Sequence, residues 1–153
     1  MICERLEKHM FDAGRWVMGF SRRIGMTNSF DVELWDLRKG LLLCSNFNIN
    51  ALEVELDAKS IVDALDNPSY VNNVISPLLD YCKLLISRIP QFCIKHCFRQ
   101  ANRCADSLAR LSFYLDADFS TFDSPPVDLL DVFEDDLNGL FCNRVCSDCI
   151  VAA

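Results

Sequence analysis

Apolar residues recur along this chain with two alternating spacings, and this alternation limits the folds that the chain can adopt. Apolar residues at every second position predict strands, whereas apolar residues at every third or fourth position predict helices. The predicted strands cover residues 15–21, 52–57 and 91–98, and the predicted helices cover residues 27–44, 59–65, 71–88 and 102–115. Strands and helices that alternate in this order are typical of a layered α/β domain with helices packed on a sheet.

The distribution of charge divides the chain into a neutral part and an acidic part. The 153 residues suit one domain and carry a net charge of −7. Residues 1–117 hold 14 basic and 14 acidic side chains, whereas residues 118–153 hold one basic and eight acidic side chains. We therefore predict a domain over residues 1–117 and an acidic appendage over residues 118–153, which a protein partner could bind. The neutral domain can still present a basic surface to nucleic acid.

Glycine and cysteine usage exclude several classes of protein. The five glycines form neither G-x-G-x-x-G nor G-x-x-x-x-G-K-[ST], so these nucleotide-binding loops are excluded. Nine cysteines, mostly in apolar segments, predict free thiols and an intracellular location. The sequence shows no secretory signal and no apolar run of about 18 residues, so we expect no membrane contact, and we expect a monomer. Cys142, Cys146 and Cys149 offer three ligands where structural zinc needs four, which favours free thiols.

Three acidic residues occupy positions where a carboxylate can carry chemistry. Glu33 shares its face of the first predicted helix with leucines, Asp57 ends a predicted strand, and Asp106 lies one turn into the last predicted helix. Carboxylates that meet in a cleft raise one another's pKa unless a cation keeps them ionised. Mg²⁺ prefers such oxygen ligands and acts on phosphate substrates, which suggests hydrolysis of a phosphodiester. Each residue also has a simpler interpretation, as a helix N-terminal acid, a helix cap or a solvated side chain.

Five short motifs carry a resemblance to a known family. They are residues 19–22 (GFSR), 30–35 (FDVELW), 54–60 (VELDAKS), 96–109 (HCFRQANRCADSLA) and 122–126 (FDSPP). In this order they resemble the ribonuclease H-like domain of plant proteins derived from retroelements. The resemblance implies a mixed five-stranded sheet flanked by helices. It also implies Mg²⁺-dependent hydrolysis of the RNA strand of RNA–DNA hybrids.

The resemblance implies roles for individual residues. Glu33, Asp57 and Asp106 match three of the four catalytic, metal-ligating positions of the family, and His96 matches a histidine that assists product release or proton transfer. His96 also shares a strand face with apolar residues, which would make it part of the core. Contacts to nucleic acid are implied for Thr27, Asn28, Lys95, Arg99, Asn102 and Arg103. These six residues could instead form a solvated basic edge and a helix cap.

The first acidic position of the family has no match in this sequence. Asp12 lies in a predicted turn close to Glu33, so it cannot serve as the first catalytic aspartate. We therefore expect the first, central strand of the sheet to be lacking. Losing a carboxylate that bridges two metal ions costs several kcal/mol of transition-state stabilisation, with tenfold in rate for each ~1.4 kcal/mol. The leading hypothesis is a ribonuclease H-like domain with impaired catalysis. The alternatives are an inactive nucleic-acid-binding module and a retroelement remnant with a protein-interaction role.

Overall fold

The computed structural model of the chain describes residues 3–4, 16–23, 29–67, 69–70, 76–99, 102–138 and 150–151. The helices are α1 (Ser29–Asn46), α2 (Lys59–Asp66), α3 (Ser76–Ile86), α4 (Arg103–Leu111) and α5 (Leu130–Leu137). The strands are β1 (Cys3–Glu4), β2 (Gly19–Arg22), β3 (Ala51–Leu56), β4 (Gln91–His96), β5 (Phe119–Phe122) and β6 (Ile150–Val151), and a 3₁₀ turn covers Val127–Leu129. The predicted strands and helices are confirmed within the described residues, with boundaries that shift by a few positions.

A parallel pair of strands forms the centre of the larger sheet. β3 pairs with β4 in parallel, with Val54 opposite Ile94 and Leu56 opposite His96. The connection between parallel strands must cross the sheet, and α2 and α3 provide that crossover. β1 and β6 add two antiparallel residues each at the two edges, so the order is β1-β3-β4-β6. Among the described residues, the neighbour of β3 on the side away from β4 is therefore the two-residue β1, at the edge of the sheet.

A second, two-stranded sheet joins the predicted acidic appendage to the rest of the domain. β2 pairs with β5 in antiparallel orientation, and Gly19 lies opposite Phe122. The Trp16 indole Nε1 donates a hydrogen bond to the Phe122 carbonyl at 2.8 Å, and a Cβ on residue 19 would overlap the Trp16 ring. Leu129 is fully buried and Phe133 of α5 packs edge-on against Trp16. Residues 119–137 are thus packed against the domain, which the predicted boundary after residue 117 did not anticipate.

The hydrophobic core is formed by the larger sheet and the helices α1, α2 and α3. α1 buries a stripe of leucines with helical spacing, and α3 packs against it. The buried side chains include Leu34, Leu37, Leu41, Leu79, Cys82, Val54 and Ile94. Each fully buried leucine contributes about 1.5–3 kcal/mol relative to an exposed one, so this stripe fixes the position of α1 on the sheet. None of the described helices is long and apolar enough to cross a membrane.

Candidate functional site

The carboxyl ends of β3 and β4 bring two candidate site segments to the same edge of the sheet. Asp57 directly follows β3, and residues 97–99 follow β4. The Cys97 N–H donates a hydrogen bond to the Leu56 carbonyl at 2.8 Å, so the parallel pairing continues past His96. Because the carboxyl ends of parallel strands lie at the same edge of a sheet, Asp57 and Arg99 both follow the strands at that edge.

Asp106 is held by two guanidinium groups. Its Oδ1 accepts a hydrogen bond from Arg99 Nη2 at 2.9 Å, and its Oδ2 lies 2.8 Å from Arg110 Nη2. Asp106 lies in the first turn of α4 and Arg110 lies four residues further along the same helix. The hydrogen bond from Arg99 is the main reason why the pKa of the Asp106 carboxyl is lowered, and the charge of Arg110 lowers it further. Both carboxylate oxygens are therefore engaged by cations of the chain itself.

Arg99 connects the three acidic residues that the sequence singled out. The pKa of its guanidinium is raised, first by the hydrogen bond with Asp106 and then by the negative charges of Asp106, Asp57 and Glu33. All three carboxylates consequently act on a single positive group that follows β4. The Mg²⁺ ion that the sequence suggested among these residues stays a prediction, and Arg99 provides positive charge beside them.

The described residues do not form a ready-made metal site. In the parts of the chain that the structure describes, no group of three or more His, Cys, Asp or Glu side chains could hold a metal ion. The donor chemistry explains part of this result, because Asp106 would have to release both arginines before its oxygens could bind Mg²⁺. A magnesium site formed by Glu33, Asp57 and Asp106, which the resemblance implies, stays a prediction.

His96 lies at the last position of β4, partly buried. Its ring packs edge-on against the Phe98 ring, with the ring centres 5.4 Å apart. Phe92 and Ile94, at alternate positions of the same strand, are buried. This arrangement matches the strand face that the sequence pattern indicated, and a catalytic role for His96 stays a prediction.

The structure divides the predicted nucleic-acid-binding residues into buried and exposed groups. Thr27 and Asn28 lie outside the described residues. Lys95 Nζ lies 2.7 Å from Glu53 Oε2, and both side chains are largely buried. Asn102 is also buried at the N-cap position of α4, where its side chain makes no capping hydrogen bond and its carbonyl accepts the first helical hydrogen bond, from the Asp106 N–H at 3.0 Å. Lys95 and Asn102 are thus internal residues with little surface to offer a nucleic acid.

The two remaining candidates, Arg99 and Arg103, reach the surface but are held by carboxylates. Arg103 Nη1 donates to Asp135 Oδ2 at 3.1 Å, so acidic α5 supplies its partner. Arg99 is bound to Asp106 as described above. The sequence pattern gave no signal for Asp135, because a contact between α4 and α5 depends on how the chain folds back after β5.

Sequence analysis did not identify a surface cluster of arginines and aromatic residues that includes part of α1. Arg22, Trp35, Arg38 and Tyr81 alternate guanidinium groups with aromatic rings, and we refer to these four residues as the arginine–aromatic ladder. The one signal in the sequence is the spacing of Trp35 and Arg38, three residues apart on a helix.

The fold and the acidic positions define a class of protein. The centre of the fold is a parallel strand pair with an aspartate directly after its first strand. A glutamate lies on the preceding helix, and another aspartate lies at the start of the following helix. This arrangement is that of a ribonuclease H-like α/β domain. The model of the family described as "Reverse transcriptase-like" matches residues 10–112. The chain therefore belongs to this family of ribonuclease H-like domains.

A plant relative is similar over most of this chain. The Arabidopsis thaliana protein named "Putative ribonuclease H protein" is 31% identical over 126 residues, which are 82% of this chain. The matched part covers 20% of that relative, so the chain spans about a fifth of the length of the curated protein that it matches. No solved structure matches the chain.

Proposed function

We propose that this domain binds nucleic acid, with an RNA–DNA hybrid as its ligand, and that it does so without hydrolysing the hybrid. The observation that carries the proposal is the double engagement of Asp106 by Arg99 and Arg110. The side chains of these arginines are 74% and 73% exposed, so both guanidinium groups are held in place and still face solvent. Each guanidinium carries five N–H donors and Asp106 engages only part of them, so the remaining donors suit a phosphate of the ligand.

Binding without turnover is supported by the state of the acidic residues. Hydrolysis of a phosphodiester by this family would require carboxylate oxygens that are available to a metal ion. The Asp106 oxygens are occupied by guanidinium groups, and Asp57 and Glu33 act on the same Arg99. The domain would therefore keep the family's surface for nucleic acid while its acidic residues serve to orient arginines.

Mg²⁺-dependent hydrolysis of the RNA strand is the second candidate function. The name of the plant relative suggests it, and the action of three carboxylates on one guanidinium favours it, because the same negative charge would suit a divalent cation. The two candidates differ in the role of Asp106, which is a metal ligand in one and a partner of arginines in the other.

A binding measurement on charge-changing variants tests the proposal. Fluorescence anisotropy with a labelled RNA–DNA hybrid, without divalent cations, should show binding that weakens as salt rises. Asp106→Asn should tighten binding, because it removes a negative charge between two arginines. Arg99→Gln and Arg110→Gln should each reduce the slope of log K against log salt by about 0.9. Arg88→Gln, which removes the same charge from an exposed turn, is the matched control.

The same samples distinguish the two candidate functions. Hybrid incubated with Mg²⁺ and the wild-type chain should remain intact. Cleavage that Asp57→Asn abolishes would establish the hydrolase and contradict binding without turnover. If the wild-type chain neither binds the hybrid in a salt-dependent way nor cleaves it with Mg²⁺, both candidate functions are refuted.

A further inference from the structure

The arginine–aromatic ladder spans three elements of the fold. Arg22 ends β2, Trp35 and Arg38 lie on α1, and Tyr81 lies on α3. The Arg22 and Arg38 guanidinium carbons are 5.7 Å and 5.0 Å from the centre of the Trp35 ring, and the Arg38 carbon is 5.0 Å from the centre of the Tyr81 ring. These distances are within the range of a cation–π contact. The rings are 39% and 38% exposed, so the ladder is a surface feature.

The arginines of the ladder differ from those around Asp106 in what holds them. Arg99, Arg103 and Arg110 each form an ion pair with an aspartate. Within the described part of the chain, neither Arg22 nor Arg38 has a carboxylate within ion-pair distance. The charge of Arg22 does act on the half-buried Asp36, but the two form no ion pair. The ladder therefore carries positive charge that no contacting carboxylate neutralises.

Contact with an aromatic ring leaves the hydrogen-bonding edge of a guanidinium available. A ring attracts the positive charge without neutralising it, so the N–H donors of the guanidinium that do not point at the ring stay available. Those donors remain free to bind phosphate in the bidentate manner that arginine favours. The rings also restrict the side chains in advance, which reduces the entropy lost when a ligand binds.

We infer that the arginine–aromatic ladder is a contact surface for the phosphate backbone of nucleic acid, with Arg22 and Arg38 as the phosphate-binding groups and Trp35 and Tyr81 as positioning residues. This inference rests on the proposed function and assigns part of the ligand to a surface outside the carboxylate edge. Because the contacts go to phosphates, the surface contributes affinity without reading base sequence.

Substitutions at the ladder test the inference in the anisotropy experiment described above. Arg22→Gln and Arg38→Gln should each reduce the slope of log K against log salt by about 0.9 and weaken binding about five- to tenfold near 0.1 M salt. The weakening should be equal for hybrids of different sequence. Trp35→Leu keeps both charges but removes the ring that they share, so it should weaken binding and leave the slope unchanged. Arg88→Gln again controls for the loss of one positive charge.

The outcomes separate this inference from the proposed function. If the wild-type chain binds, and Arg99→Gln weakens binding while Arg22→Gln and Arg38→Gln behave like Arg88→Gln, the ladder is not a contact surface and the proposed function stands. If the wild-type chain does not bind the hybrid, the proposed function fails and the inference fails with it. Arg22→Lys and Arg38→Lys retain charge for the case in which a glutamine variant does not fold, and they should keep the slope of the wild-type chain.

Discussion

Replacing Lys95 by methionine should destabilise the domain by about 3–5 kcal/mol, because the substitution leaves the Glu53 carboxylate buried without its partner. Lys95 Nζ and Glu53 Oε2 are 2.7 Å apart, and the two side chains are only 14% and 8% exposed. The strands that carry them are neighbours in the parallel pair, and β3 is buried from Leu52 to Leu56. Little water can therefore replace the lost ammonium group.

The expected loss follows from the asymmetry of buried ion pairs. Removing one partner leaves a buried charge unpaired, which lowers the free energy of unfolding strongly. Replacing both partners by apolar side chains of similar size is often neutral or stabilising. The double variant Glu53→Met with Lys95→Met should thus recover most of the stability that Lys95→Met loses. For a domain of this size, the single variant should lower Tm by roughly 2–4 °C for each kcal/mol.

Urea denaturation of four chains tests this reasoning. The comparison needs the wild-type chain, Lys95→Met, the double variant and Lys59→Met, which breaks an exposed pair with Asp63. Lys59→Met should change the free energy of unfolding by less than about 1 kcal/mol, because exposed pairs contribute little. A change of the same small size for Lys95→Met, or a double variant no more stable than the single one, would refute the buried-pair account. Hybrid binding by the folded double variant should equal that of the wild-type chain, because Lys95 is internal.

Three further predictions concern stability. Leu129→Ala should cost about 2–5 kcal/mol in urea denaturation because Leu129 is fully buried, whereas a loss below about 0.5 kcal/mol would mean that residues 119–137 do not belong to the cooperative unit. Burial raises the pKa of the Cys82 thiol to about 12, so the unfolded chain releases this proton at a lower pH than the folded chain does. The free energy of unfolding should therefore fall by up to ~1.4 kcal/mol per pH unit above pH ~9. A Cys82→Ala chain with an equally steep fall would contradict this explanation. Burial is also the main reason why the pKa of Asp36 is raised, so Asp36→Asn should stabilise the domain at neutral pH. This gain in stability should disappear as pH falls below about 4, where the carboxyl group is protonated in the unfolded chain as well. A gain that persists below that pH would exclude the explanation.

The parts of the fold that could be predicted from sequence are those in which a local pattern marks a buried surface. Leu34, Leu37 and Leu41 recur at helical spacing, and all three are fully buried along α1. β3, β4 and α4 were predicted within a few residues for the same reason. The pattern placed Asp57 at the end of a strand, but only the parallel pairing of β3 and β4 in the structure shows that Asp57 and the residues after β4 share one edge of the sheet.

The parts that could not be predicted depend on contacts between distant segments. Alternating glutamates in residues 52–57 are typical of a strand with one face in water, but β3 is covered on both faces and Glu53 became the partner of Lys95. β5 pairs with β2 although the two strands are far apart in the sequence, and no local pattern in residues 119–122 predicts this pairing. The pairing of Arg103 with Asp135 has the same origin, so the acidic segment could be recognised by its composition but not by its position.

The distribution of charge also determines how nucleic-acid binding by this chain should be measured. The net charge of −7 repels a polyanion at long range, whereas Arg22, Arg38, Arg99 and Arg110 would act on it at contact. Salt weakens both effects, with a screening length of about 8 Å at physiological ionic strength. The slope of log K against log salt for the wild-type chain therefore combines attraction and repulsion and underestimates the number of phosphate contacts. Repulsion by the acidic residues is nearly the same in each single arginine variant and in Arg88→Gln. The difference between their slopes thus isolates the contact that a given arginine makes.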